Sequence, residues 1–364
     1  MRLPVSVAAI AGACVLAAAG GGGCAEFDDP STVTDLRVLA VRAEPSEIIL
    51  NATVDTDLST VVIPSIQLQA LIVDPRGAGR PVTVDISVCA NDPSALSPPN
   101  NGQDPTGYPA GGARTTVGSA LCDGAPTEMT VASGADLSGD TPVTVGLPAA
   151  WVMNAFIADV FPGPDGKPHG GFDLGMPVVF QLTARAGEDV VRAIKRVTFW
   201  LRPLSAEQRA NTSPVIPGVS VYDQRDAATA EPVPGAVQTL DPGAPATVPG
   251  TGLWIDPAPA DAEPFVTAVL DRTTGQAVPH DVGRETLRYA FYATAGTFSP
   301  FETSSEPPPG VTVTTRVHIE SKYQPPPEAQ RPADVTMWIV VRDERGGASW
   351  LTRSLRVPAT GGGP

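Results

Sequence analysis

Histidine is nearly absent: there are three in 364 residues, His169, His280 and His318. They are expected in a loop, a loop and a strand, and none has a second His or a Cys at metal-ligand spacing. Nucleophilic catalysis by Ser or Cys needs such a base at hand, so that chemistry has little to draw on. The chain also lacks a G-x-S-x-G turn, an S-x-x-K pair, an H-E-x-x-H helix and a phosphate-binding glycine loop. Positive charge is scarce, with Lys+Arg 24 against Asp+Glu 39 and a net charge of -15. That balance argues against nucleic acid or an anionic membrane surface as the main partner. Aromatic residues make up only 5 %, which disfavours a dedicated glycan groove. Beyond the N-terminus no apolar run approaches the roughly 20 residues a membrane-spanning helix needs.

Proline, by contrast, is abundant at 40 residues, and at that frequency it breaks long helices. A chain of this length is expected to fold as two or three domains. Met1-Arg2 is followed by an almost wholly apolar, small-residue stretch, Leu3 to Ala19, which reads as an export signal. Gly20 to Gly23 then lead to Cys24. Small residues before a cysteine, after an apolar core, resemble the lipobox of bacterial lipoproteins, although Gly21 stands where that family usually has Leu. The resemblance implies cleavage before Cys24 and its acylation. Two other sites compete: Cys14 behind Ala11-Gly12-Ala13, and ordinary cleavage after Ala17-Ala18-Ala19. Cysteine arithmetic favours Cys24, because the remaining two, Cys89 and Cys122, can then pair in an oxidising compartment.

From residue 33 onward, short β-branched runs alternate with Pro/Gly/Asp punctuation. Ile66 to Val73 and Val82 to Cys89, separated by Asp74-Pro75-Arg76-Gly77, are expected to form a hairpin. Residues 90–125 read as a long loop whose ends Cys89 and Cys122 staple together. Val152, Phe156 and Val160 fall at helical spacing in Ala149 to Val160, the one expected helix. Met176 to Ala184 and Val190 to Trp200 read as a second hairpin, closed at Gly187-Glu188-Asp189. Residues 203–214 lose the alternation and read as a linker. Strands are expected in the second half at Val215–Tyr222, Thr251–Ile255, Phe265–Leu270, Thr286–Ala293, Val311–Glu320, Val335–Val341 and Ala348–Val357.

The last hairpin, with Val335 to Val341, Asp343 and Gly346-Gly347, resembles the C-terminal hairpin of bacterial immunoglobulin-like and polycystic-kidney-type domains. The expected fold class is therefore all-β: two antiparallel immunoglobulin-like β-sandwich domains in tandem, one short helix in the first, preceded by a signal peptide. The expected boundaries are a signal peptide at 1–23, a tether at 24–32, a first domain at 33–202, a linker at 203–214, a second domain at 215–358 and a tail at 359–364.

Two features invite a functional reading. Asp159, Asp165 and Asp173, with His169, crowd one glycine-rich loop that could offer oxygen ligands to calcium or serve a metal-assisted hydrolase; a solvated connector is the plainer account. Trp254, Phe265, Tyr289, Phe291, Tyr292, Phe298 and Phe301 could present an aromatic row to a sugar or a protein, although strand alternation puts at least one face in a core. The resulting expectation is a non-enzymatic, cofactor-free, lipid-anchored protein of the bacterial cell envelope, at the outer membrane. It would act as a binding or spacer module for a protein or polysaccharide partner.

Overall fold

The computed structural model describes residues 29–358 apart from 53–55, 58–59, 78, 91–121, 123–124, 126, 138–140, 159, 163–167, 171–174, 204, 206–207, 227–228, 271–276 and 307–316. Of residues 157–158, 160–162, 168–170, 265–270 and 277–283 only the backbone is described. The chain is mostly β, with one α-helix among the described residues.

The first half contributes β1 (Arg37–Glu44), β2 (Glu47–Ile49), β3 (Ile66–Val73), β4 (Thr83–Ala90), β5 (Met129–Ala135), β6 (Val143–Val145), α1 (Ala149–Ala158), β7 (Val160–Pro162), β8 (Pro168–Gly170), β9 (Met176–Ala186) and β10 (Asp189–Trp200). The second contributes β11 (Val219–Tyr222), β12 (Gln238–Thr239), β13 (Ala246–Thr247), β14 (Leu253–Pro257), β15 (Pro264–Leu270), β16 (Ala277–Arg284), β17 (Arg288–Ala293), β18 (Thr297–Ser299), β19 (Glu302–Ser304), β20 (Ser321–Gln324), β21 (Asp334–Arg342) and β22 (Ala348–Arg356).

The two halves share one strand order. In the first, the sheets run β1-β3-β6 and β2-β10-β9-β4-β5. In the second, β11-β14-β20 forms the middle of one sheet, and the other runs β13-β22-β21-β17-β19. Each five-stranded sheet of the series ending in β5 or β19 begins with a short strand parallel to the last long one: β2 beside β10, and β13 beside β22. The remaining pairs in these sheets are antiparallel.

Each half has its own apolar core, drawn from both of its sheets. Val38, Ile66 and Leu68 meet Ile86, Phe180 and Phe199 in the first, with Val152 and Phe156 of α1 beside them. Val221, Ile255 and Tyr323 meet Tyr289, Phe291, Met337 and Ile339 in the second. A third cluster joins the halves: Val33, Leu39, Ala40, Leu71 and Val73 pack on Ala290, Tyr292, Trp338 and Val340. Alternation explains how one strand serves two clusters. On β21 the odd positions Val335 to Val341 face the second core, and Trp338 and Val340 face the first half.

The segment before β1 also binds the second half. The Ala293 amide donates to the Ser31 carbonyl at 2.8 Å and the Val33 amide to the Ala293 carbonyl at 2.8 Å. The Phe298 amide donates to Ser31 Oγ at 2.9 Å.

Several sequence expectations need correction. β3 and β4 are not a hairpin: β3 pairs with β1 and β6, β4 with β5 and β9. Their alternating apolar faces do answer each other, but across the core between two sheets. The connector is braced rather than tight, with Arg80 Nε donating to Asp74 Oδ2 at 2.6 Å and Arg80 Nη2 to Asp189 Oδ2 at 2.5 Å. In the run 311–320 the described residues 317–320 are not strand, and β20 begins at Ser321. His169 and His280 lie in strands β8 and β16, whereas His318 lies outside one. The β9–β10 and β21–β22 hairpins stand where expected, and the helix starts where expected but ends at Ala158, with Val160 in β7.

Candidate functional site

The densest cluster of buried charge among the described residues sits where the two halves and the linker meet. It is built around the turn Asp343-Glu344-Arg345-Gly346-Gly347 between β21 and β22. Asp343 folds this turn with its own carboxylate: Oδ1 accepts from the Gly347 amide at 2.6 Å and the Arg345 amide at 2.9 Å. Gly347 is required here, because a Cβ would lie 2.1 Å from Asp343 Oδ2 and 3.0 Å from Pro214 Cδ. The turn thereby aims Arg345 and the Gly346 carbonyl at the first half.

Arg345 is held by carboxylates from both sides. Nη2 pairs with Glu47 of β2, while Nη1 lies 3.2 Å from Glu285 Oε1 and 3.6 Å from Glu263 Oε2. Nη2 also donates to the Arg209 carbonyl at 2.6 Å. Glu47 has further donors, the Trp200 indole at 3.1 Å and the Asn211 amide at 3.1 Å. Asn211 Nδ2 donates to Asp343 Oδ2 at 3.0 Å. Lys195, pointing inward from β10, reaches the Gly346 carbonyl, and Arg342 reaches the Leu39 carbonyl. The linker is part of the same structure. Gln208, Asn211 and Ser213 are buried, and the Ala348 amide donates to Ser213 Oγ at 3.3 Å.

Burial dominates the electrostatics. It pushes Lys195 down to about 8, with Arg342 acting in the same sense and Asp343 and Glu44 opposing. It pushes Glu285 up to about 7, reinforced by Asp343 and opposed by the Glu263 amide and Arg345. Asp343 is also raised by burial, although the Asn211 side chain and its own turn amides hold it back. Burial would lower Arg345, but Glu47, Glu285 and Asp343 more than offset it. Two buried atoms at this seam have no hydrogen-bond partner, Asn211 Oδ1 and Ser46 Oγ.

Few of the residues singled out from sequence come together in a site. Cys24, Asp159, Asp165 and Asp173 lie outside the described residues, and of His169 only the backbone is described, opposite Phe161. Among the described residues no group of three or more His, Cys, Asp or Glu could hold a metal ion. Cys89 and Cys122 are bonded, with their Cα atoms 5.4 Å apart. They pack with Val179 on the face of β9 turned away from the core, where the Cys122 amide donates to Gln181 Oε1 at 3.2 Å.

The described aromatic side chains do not form an exposed row. Tyr289, Phe291 and Phe298 are buried in the second core and Tyr292 in the seam, while Phe301 is half-buried. The Phe265 side chain lies outside the described atoms. Trp254 is half-buried, with the Arg225 guanidinium 3.4 Å over its ring. Arg225 is fixed in turn by Tyr222 Oη at 3.1 Å and by the buried Glu320, which His318 Nδ1 approaches at 2.6 Å. A stacked cation of this kind stabilises the surface but leaves that ring face closed to a ligand.

Sequence reasoning missed the seam. Its signal was faint: a lysine at an otherwise apolar inward position of β10, and an acid opening the short run Glu47-Ile48-Ile49. Compared with protein families, curated proteins and solved structures, the chain matches none.

Proposed function

We propose that the chain is a non-enzymatic, lipid-anchored protein of the bacterial cell envelope. Two immunoglobulin-like β-sandwich modules form a rigid spacer that carries a binding surface for a protein or polysaccharide partner. The observation that carries this reading is the repeated strand order joined by a buried seam. Two modules of the same plan are locked face to face, and the clustered charge is engaged in the lock rather than in a pocket. The export-signal pattern and the disulfide agree with an oxidising compartment.

Segment 29–33 adds an orientation. Cys24 precedes Asp29 by five residues, which reach no more than about 17 Å when fully extended. An acylated Cys24 therefore ties the membrane to the end of the second module around Ala293 and Phe298, although the first module comes first in sequence.

Mass spectrometry of the mature N-terminus tests the anchor: lipidated Cys24 is expected, and an unmodified Gly20 start overturns it. Cross-linking on intact cells tests the role. A reproducible partner on one face makes the chain a recognition module, and capture of only abundant envelope proteins favours a spacer.

A further inference from the structure

We propose, on the reading of the chain as a binding module, that β15 is its docking edge. An extended segment of another envelope protein, apolar along its middle and bearing lysine or arginine at its end, adds to β15 as a third strand.

β15 and β16 form a two-stranded sheet of their own, antiparallel from Pro264↔Arg284 to Leu270↔Ala277. Among the described residues neither strand has a second neighbour, and the pair makes no broad contact with another element. A hairpin left alone in this way is marginally stable in water and gains from a third strand. Its base is fixed. The Glu285 amide donates to the Glu263 carbonyl at 3.0 Å, and Arg284 Nη1 donates to the Ala262 carbonyl at 3.1 Å. The carboxylates of Glu263 and Glu285 both reach Arg345, so the arm stands on the seam.

The two edges of the arm differ in sequence. β16 carries the marks of an edge kept from pairing. Pro279 has no N–H to offer, Asp281 is charged, and a bulge inserts Val282 where the register passes from Phe265↔Gly283 to Val266↔Asp281. β15 carries none of these. From Phe265 to Leu270 it has no proline, glycine or charge, and Val266, Thr267 and Val269 are β-branched. Alternate residues of an antiparallel pair turn their N–H and C=O groups outward, so the open side of β15 offers a row of backbone donors and acceptors. Strand addition uses such an edge.

Charge and position select the occupant. Around the base Asp261 and Glu306 are exposed and Glu344 is half-buried, with Arg284 as the exposed cation beside them. A second copy of this chain, at a net charge of -15, would bring further acids to that base, whereas a cationic strand end is drawn to it. The base also lies just before the start of β17, and segment 29–33 binds at the other end of that strand, at Ala293. The arm is thus rooted at the end of the second module away from the anchor.

The test is hydrogen exchange of the full chain with a synthetic peptide of alternating valine and threonine ended by lysines. Exchange in 264–270 is expected to slow by about fivefold or more as the peptide saturates, with 277–284 unchanged. The same peptide methylated on its backbone nitrogens is expected to give no protection, and a version ended by glutamates less. No slowing in 264–270, slowing confined to 277–284, or equal slowing by the methylated peptide overturns the proposal. Equal protection by the glutamate-ended peptide overturns the cationic occupant. Cross-linking on intact cells separates this surface from the wider reading: a partner held elsewhere refutes β15 as the dock and leaves the binding module standing. Protection by the peptide with no partner on cells counts against the binding module and not against the edge.

Discussion

Arg345 of the second half and Glu47 of the first form an ion pair in which both side chains are 6 % exposed. A pair so deeply buried has lost most of its hydration, and its value depends on the hydrogen bonds that complete it. Trp200, Asn211 and the Arg209 carbonyl supply these, so removing either partner strands the rest.

R345A leaves Glu47 and Glu285 buried without the cation they share, with the part-exposed Glu263 close by. It is expected to lower stability by about 3–5 kcal/mol, read from urea unfolding. R353A, on the strand that follows the same turn but half-exposed, is expected to cost less than half as much. Equal losses from the two variants would remove the special place of the seam.

G347A tests the turn itself. Its new methyl would meet Asp343 Oδ2 and Pro214 Cδ, so a loss of about 1–3 kcal/mol is expected. G243A, where a Cβ meets nothing within 4 Å, is expected to be neutral or slightly stabilising. Thermal denaturation of both variants measures the contrast.

The Cys89–Cys122 bond closes a separation of 33 residues. Loop-closure entropy predicts a loss of ~3–4 kcal/mol on its removal. C89A/C122A compared with wild type under oxidising conditions measures this, and reduction of the wild type is expected to reproduce most of it.

Residues 215–358 expressed alone would expose Ala290, Tyr292, Trp338 and Val340, all buried against the first half in the full chain. The fragment is expected to self-associate, whereas the full chain stays monomeric at the same concentration; sedimentation velocity distinguishes them.

How much of this was legible in the sequence depended on how local the cause was. The β9–β10 and β21–β22 hairpins are announced by alternation on both sides of a glycine turn, and α1 by the spacing of Val152 and Phe156. Pairing between β3 and β4 was misread because alternation reports which residues face inward, not which sheet the strand belongs to. Ile66 and Val84 belong to one apolar core, yet the strands that carry them pair in different sheets. The seam was illegible for a related reason. Glu47, Lys195 and Glu285 look like ordinary surface charges until strands far apart in sequence bring them to one turn. Trp338 and Tyr292 gave a partial hint, since large aromatics on the face opposite a core position need a second apolar neighbour.

The central claim is that two modules of one plan behave as a single body held by this seam, and calorimetry tests it most directly. Full-chain protein scanned at pH 6 is expected to unfold in one transition with equal calorimetric and van't Hoff enthalpies, and R345A is expected to split it into two. Two separate transitions in the wild-type protein would contradict the account, because the halves would then be independent domains joined only by a linker.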